Sequence, residues 1–222
     1  MNAQQGYTLV EMLVAMAVTA IVLAGTYAAY GFFARQQQLI LSQTELSRNA
    51  MRAVDLIKSD ISIAGFKDVN DPDVMQASQP IVIAQNNPAD IRLVNDEYDA
   101  GGSIKRVLTR YYTKTHTAAE SGIQRDRILR QVRLCNNPAV FCDLSNSTMI
   151  STDPDGEPLL DWVDQFSVTG QNPKMVGSFK DQFQTLKIVL TLKSPKKLEG
   201  AVRDTTKNFS FIARAKNVSL VP

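Results

Sequence analysis

The chain of 222 residues has room for one ordinary domain with some length to spare. Hydrophobic residues make up 44% and charged residues 21%, which excludes both a disordered polar chain and one that is membrane throughout. With 24 basic against 22 acidic groups no overall field draws nucleic acid, and one histidine and two cysteines are too few for a zinc, haem or iron–sulfur site. The charge is unevenly spread: the first 33 residues carry one charged side chain, Glu11, and all 24 basic groups lie beyond it. The chain reads as a membrane segment attached to a soluble domain.

From Leu9 to Phe33 the run LVEMLVAMAVTAIVLAGTYAAYGFF makes a helix of about 37 Å, enough to cross a hydrocarbon core of roughly 30 Å. Gly25 and Gly31 suit close packing in a membrane, and no proline occurs before Pro72 to break the helix. A cleaved secretory signal is not expected. Met1 to Gly6 holds no Lys or Arg, and Gly31 to Arg35 makes a poor cleavage site. Glu11 stands out, because an ionisable group in a membrane helix costs a few kcal/mol at the centre and less near an end. It either reaches the interface or has a function.

The residues Gly6-Tyr7-Thr8-Leu9-Val10-Glu11, followed at once by the apolar run, resemble the class III signal of type IV pilins and type II secretion pseudopilins. The resemblance implies a short leader cut after Gly6 by the prepilin peptidase, with Tyr7 the new and N-methylated terminus. It also implies that Glu11 guides docking during assembly. The leader itself carries no basic side chain, so the positive-inside rule alone would hold the Arg35 side in the cytoplasm. The motif implies the reverse, with the globular domain periplasmic in an inner-membrane, single-pass precursor and on the pilus surface after assembly. Expected partners are the prepilin peptidase and N-methyltransferase, other minor and major pilins, the inner-membrane pilus assembly platform, and membrane lipid before assembly. Small residues such as Ala15, Ala17, Ala20, Ala24 and Gly25 would let stem helices pack closely.

Helical periodicity continues past the apolar run. Ala50, Val54, Ile57, Ile61 and Ala64 form one stripe, with Arg48, Arg52, Asp55, Lys58 and Asp60 mostly on the other side. Gly65 suits a left-handed cap, with Phe66 placed to pack back. One continuous helix from about Tyr7 to Ala64 would measure about 87 Å. The segment Ile57-Lys58-Ser59-Asp60-Ile61-Ser62-Ile63-Ala64-Gly65-Phe66 resembles the end of this helix in W-type minor pilins more than in J-type minor pseudopilins.

Asp68 to Pro80 reads as a loop. Strands are expected at Ile81–Ala84, Ile91–Asn95, Ile104–Thr113, Ile128–Leu134, Trp162–Thr169, Thr185–Lys193 and Phe209–Arg214, with the clearest alternation in Leu186 to Leu192. The expected fold is therefore α+β and type IV pilin-like: a long N-terminal helix, transmembrane in its first half, packed on a mostly antiparallel β-sheet domain. Its parts are a leader (1–6), a transmembrane segment (7–33), an amphipathic extension of the same helix (34–66) and a β-rich globular domain (67–222). Leu159 to Val168, with Trp162 as a core or sheet anchor, then an aliphatic strand and a last strand reaching Asn217, is similar to W- and J-type subunits.

Cys135 and Cys142 flank a turn-rich loop. They can be free thiols, a redox pair or a disulfide; the spacing disfavours a redox pair, and a disulfide, the preferred reading, needs an oxidising compartment. His116 reads as a solvated loop residue, and Asp153-Pro154-Asp155-Gly156-Glu157 as a turn rather than a calcium loop. Lys105, Arg106, Arg110, Lys114, Arg125, Arg127, Arg130 and Arg133 make the middle of the domain locally basic. DNA binding through them is the less favoured reading, and at most one of Tyr111 and Tyr112 can join them, since neighbouring strand residues face opposite sides. No nucleophile–base pair, phosphate loop or metal motif is legible, so neither catalysis nor a cofactor is expected. The function expected is that of a minor pilin that primes or caps a type IV pilus. A J-type pseudopilin of a type II secretion system is the alternative, and a membrane-anchored DNA-binding or adhesive module stands lower.

Overall fold

The computed structural model describes residues 8–66, 80–84, 89–117, 124–136, 142–150, 153–171, 174–176, 179–182, 185–193 and 206–216. Helix α1 runs over Leu9–Ile63, 55 residues without a break, close to the expected extent. The chain divides into two compact units, Met1–Glu45 and Leu46–Pro222.

In the first unit every side chain from Thr8 to Tyr30 is exposed, although most are apolar. Such a surface is unfavourable in water and matches a hydrocarbon surrounding. The two hydroxyls deep in this run are satisfied within the helix: Thr19 Oγ1 donates to the Ala15 carbonyl at 2.7 Å and Thr26 Oγ1 to that of Val22 at 2.8 Å. Neither exposes an unpaired donor to lipid.

In the second unit α1 lies on a sheet. The strands are β1 (Ile81–Ile83), β2 (Ile91–Tyr98), β3 (Ile104–Thr117), β4 (Gln124–Cys135), β5 (Ser147–Met149), β6 (Glu157–Gln171), β7 (Lys174–Val176), β8 (Phe179–Gln182), β9 (Thr185–Lys193) and β10 (Thr206–Arg214). Eight of them form one sheet in the order β1-β2-β3-β4-β6-β9-β10, with β5 beside β4, and β7 pairs with β8 separately. All the pairings are antiparallel. Alternation puts Leu186, Ile188, Leu190 and Leu192 of β9 inward. They meet the helix stripe of Leu46, Ala50, Ala53, Val54, Ile57, Ile61 and Ala64 in one core with Ile91, Leu93, Tyr111, Ile128 and Phe166. Ile57 and Ile61 are fully buried, each worth about 2–3 kcal/mol relative to exposure.

The helix ends as its sequence requires. Gly65 takes φ 79°, a conformation natural to glycine, and its N–H donates to the Val94 carbonyl at 2.8 Å. The Asp96 N–H donates to the Phe66 carbonyl at 2.9 Å, so the helix end is tied directly to β2. Phe66 departs from expectation: it stays 40% exposed instead of packing back, because its backbone is committed to the sheet edge.

Each expected strand coincides with an observed one, the first ending at Ile83 with Ala84 outside it, and several run longer. The Asp68 to Pro80 loop falls outside the described residues except for Pro80. His116 belongs to the end of β3, paired with Arg125, rather than to a loop. The outer face of β2, β3 and β4 carries a second apolar cluster of Val94, Leu108, Cys135 and Cys142, with Leu144 against it. Leu159 and Trp162 pack against the main core from β6, whose register shifts against both β4 and β9.

Gly156 turns the chain into β6 with φ 84°, and a Cβ there would stand 2.6 Å from the Arg130 carbonyl oxygen. Gly156→Ala therefore adds a backbone clash to an unfavourable φ. We expect a loss of about 2–3 kcal/mol in chemical denaturation of the full chain in detergent; unchanged stability would contradict this close approach.

Candidate processing and assembly site

Gly6 and Tyr7 lie outside the described residues, but the helix start that follows them is defined. Thr8 is the N-cap and Glu11 the third helical residue. The Thr8 N–H and hydroxyl both donate to Glu11 Oε2, at 3.0 and 3.1 Å, and the Glu11 N–H donates to Thr8 Oγ1 at 3.3 Å. This is a reciprocal capping box. A helix start leaves four N–H groups without partners, and lipid supplies none. The box satisfies two backbone donors and sets a negative charge at the positive end of the helix dipole. The threonine-x-x-glutamate spacing was present in the sequence, and it gives Glu11 a role within its own chain.

The charged residues of the sheet are arranged mostly for internal pairing. Asp60, expected on the polar side of α1, is 8% exposed. Its Oδ2 accepts from the Tyr111 hydroxyl at 2.6 Å and from both Nη2 and Nε of Arg130, at 3.0 and 3.1 Å. Tyr111 and Arg130 are register partners on β3 and β4, so one carboxylate from the helix joins two strands. Burial, then the nearby Asp60 carboxylate, push the Tyr111 hydroxyl well above its ordinary 10.0. Burial works against the Arg130 charge, but Asp60 and Tyr111 together outweigh it and raise its pKa.

The basic run over 105–133 is neutralised in the same way. Lys105 pairs with Asp99 at 3.1 Å, Arg110 with Asp90 at 2.7 Å and Lys114 with Asp155 at 2.6 Å. Arg106 and Asp96 form an ion pair at 2.9 Å with each side chain only 1% exposed. Arg127 and Arg125 both face Asp161. Arg133 donates to the hydroxyl and carbonyl of Ser147 and to the Leu144 carbonyl. Every one of these cations has an acceptor in the domain, although the Lys105 and Lys114 side chains remain half exposed. The tyrosines separate as the strand period requires. Tyr111 is buried, whereas Tyr112 lies on the other face beneath the Arg110 guanidinium, 4.2 Å from its ring centroid.

The acidic turn follows the same logic. Asp153 Oδ1 accepts from the Asp155 N–H at 2.9 Å, and the Asp155 carboxylate is taken by Lys114. Among the described residues no three histidine, cysteine or acidic side chains gather as metal ligands. Cys135 and Cys142 are joined in a disulfide, with Cα atoms 5.6 Å apart. It closes the loop on the outer sheet face, where Asp143 accepts from the Ser145 hydroxyl and from the Ser145 and Asn146 N–H groups. Those bonds, the Ser145 hydroxyl foremost, hold the Asp143 carboxyl below its usual range.

Comparison with known families adds one match: the prokaryotic N-terminal methylation motif fits residues 1–27. No curated protein and no solved structure shows significant similarity to the chain. The motif implies a type IV pilin- or pseudopilin-like protein, processed by prepilin peptidase and associating with other pilins. The apolar N-terminal helix agrees with the membrane anchoring typical of pilins.

The raised Tyr111 pKa has a pH consequence. In the unfolded chain this hydroxyl ionises near 10.0, while in the folded domain it stays protonated. Unfolding then releases a proton, so the contribution is complete below pH 10 and is lost as pH rises above it. Tyr111→Phe should flatten the fall in stability between pH 9 and 11, as measured by denaturant titration; an unchanged slope would contradict the buried assignment.

Proposed function

We propose that the chain is a minor pilin that primes assembly of a type IV pilus or caps it. The observation that carries the reading is the methylation motif over residues 1–27, opening directly into an exposed apolar helix. In this account the prepilin peptidase cuts after Gly6, where the absence of a Cβ leaves the bond accessible, and Tyr7 is then N-methylated. Residues 1–6 are the leader, 7–33 the membrane stem, 34–66 its amphipathic extension and 67–222 the exported domain. The protein acts as a substrate and a building block rather than an enzyme. It waits in the inner membrane and is drawn out by the assembly platform into a bundle with other minor and major pilins. The resemblance of the end of α1 from Ile57 to Phe66 favours the W type, whereas the Trp162 strand is similar in both W- and J-type subunits. A J-type pseudopilin is the second reading, favoured by the same C-terminal progression.

The Glu11 carboxylate has two tasks in this mechanism. Oε2 caps its own helix, and among the described residues Oε1 has no hydrogen bond. The methylated Tyr7 amine of a neighbouring subunit stays cationic near neutral pH and is the natural partner for it. Pairing in low dielectric offsets desolvation of both groups, whereas a lone charge there is strongly unfavourable. Glutamine can still close a capping box but cannot neutralise an amine. Glu11→Gln should therefore insert and be processed normally, yet be lost from sheared filaments as completely as Glu11→Val. Normal incorporation of the glutamine variant would leave Glu11 as a cap only.

The disulfide bears on topology. An exported domain acquires it in an oxidising compartment. Full-length protein taken directly from cells should show no alkylatable thiol until reduced; labelling of both cysteines without reduction would contradict export.

A further inference from the structure

Helix α1 begins where its hydrogen bonds are diverted. A helix extends past its start only when the N–H groups of its first residues reach carbonyls four places earlier. For α1 the Thr8 N–H would have to reach the Gln4 carbonyl, and the Glu11 N–H the Tyr7 carbonyl. Both donors are already bonded elsewhere. The Thr8 N–H goes to Glu11 Oε2 at 3.0 Å, and the Glu11 N–H to Thr8 Oγ1 at 3.3 Å. The Met12 N–H then donates to the Thr8 carbonyl at 3.3 Å, the first rung of the ladder among the described residues. Thr8 is also the second residue after the Gly6–Tyr7 bond. The sequence ahead of that bond offers no stop of equal strength. Ala3, Gln4 and Gln5 favour helix, and Asn2 with Gln5 has the spacing of a second capping box. Only Gly6 opposes continuation, and a single glycine is a weak barrier.

A peptidase needs a carbonyl it can reach. In a helix each carbonyl is bonded within the ladder, so proteolysis falls on backbone outside regular structure. Were α1 continued through the leader, the Gly6 carbonyl would accept from the Val10 N–H and the bond to Tyr7 would be closed to attack. We infer that Thr8 is a positioning residue for leader removal: by capping α1 at its own position it keeps the Gly6–Tyr7 bond out of the helix and open to the prepilin peptidase. Water adds to the Gly6 carbonyl, the bond to the Tyr7 nitrogen breaks, and a proton goes to the departing amine. Thr8 takes no part in that chemistry; it sets the backbone on which it occurs. The reaction rests on the pilin reading above, whereas the cap rests on the geometry of Thr8 and Glu11 alone.

The test uses the full chain in membranes of cells that hold the peptidase, with loss of residues 1–6 followed over time by intact mass. Thr8→Val keeps the side-chain shape, removes the acceptor and suits a membrane helix at least as well as threonine. It should slow leader removal about fivefold. Thr8→Ser and Thr8→Asn differ from threonine in shape but still cap, and should be cut at close to the wild-type rate. Ala3→Gly with Gln4→Gly, added to Thr8→Val, weakens helix across the leader and should restore cutting. Thr8→Val cut as fast as wild type overturns the positioning role. So does Thr8→Asn cut as slowly as Thr8→Val, or no recovery with the two glycines, since either outcome assigns Thr8 to direct contact with the peptidase. A wild-type chain that is never cut overturns the pilin reading, and the inference with it.

Discussion

Helix α1 meets two surroundings with one backbone, and most of the remaining structure answers to that constraint. Its first unit exposes apolar side chains on all sides and satisfies its hydroxyls internally, as hydrocarbon demands. From Leu46 onward the helix buries only one stripe, and the sheet provides the matching apolar face. The polar groups of both parts are accordingly turned inward. Thr8 and Glu11 close the helix start, and Asp60 is bound to Tyr111 and Arg130. An unpaired acid at either place would be expensive, because water is scarce in both.

Much of this was legible from periodicity. The apolar run, the stripe from Ala50 to Ala64, the glycine cap and the alternation of β9 are local patterns, and each appears in the structure where it was expected. What escaped were pairings distant along the chain. Asp60 lies 51 residues from Tyr111 and 70 from Arg130, so nothing local marks it as buried. The cluster of cations over 105–133 looked like a patch because its acids, such as Asp60, Asp90, Asp96 and Asp161, are scattered through other segments. The capping box was a different case: the Thr8-x-x-Glu11 spacing is local, but a lone acid at the start of a membrane helix equally fits an interfacial or docking charge.

The disulfide and the ion pairs divide the work of the outer sheet face. Cys135 and Cys142 join Val94 and Leu108 in a small second core, while Arg133 ties the same segment through Ser147 and Leu144. Closing so short a loop contributes roughly 2–3 kcal/mol. Charge pairing here sets geometry more than it adds stability, since buried pairs recover little beyond their desolvation cost. The exception is the pair Arg125 and Arg127, which share the Asp161 carboxylate beside Trp162, where the backbone is strained.

The central claim is that the chain begins its working life at Tyr7. Intact-mass analysis of the full-length protein, recovered from the membrane of cells that hold the processing peptidase, tests this most directly. The account predicts a mature species that has lost residues 1–6 and gained one methyl group on the Tyr7 amine. A mature protein that still begins at Met1, or one cut beyond the apolar run, would contradict it.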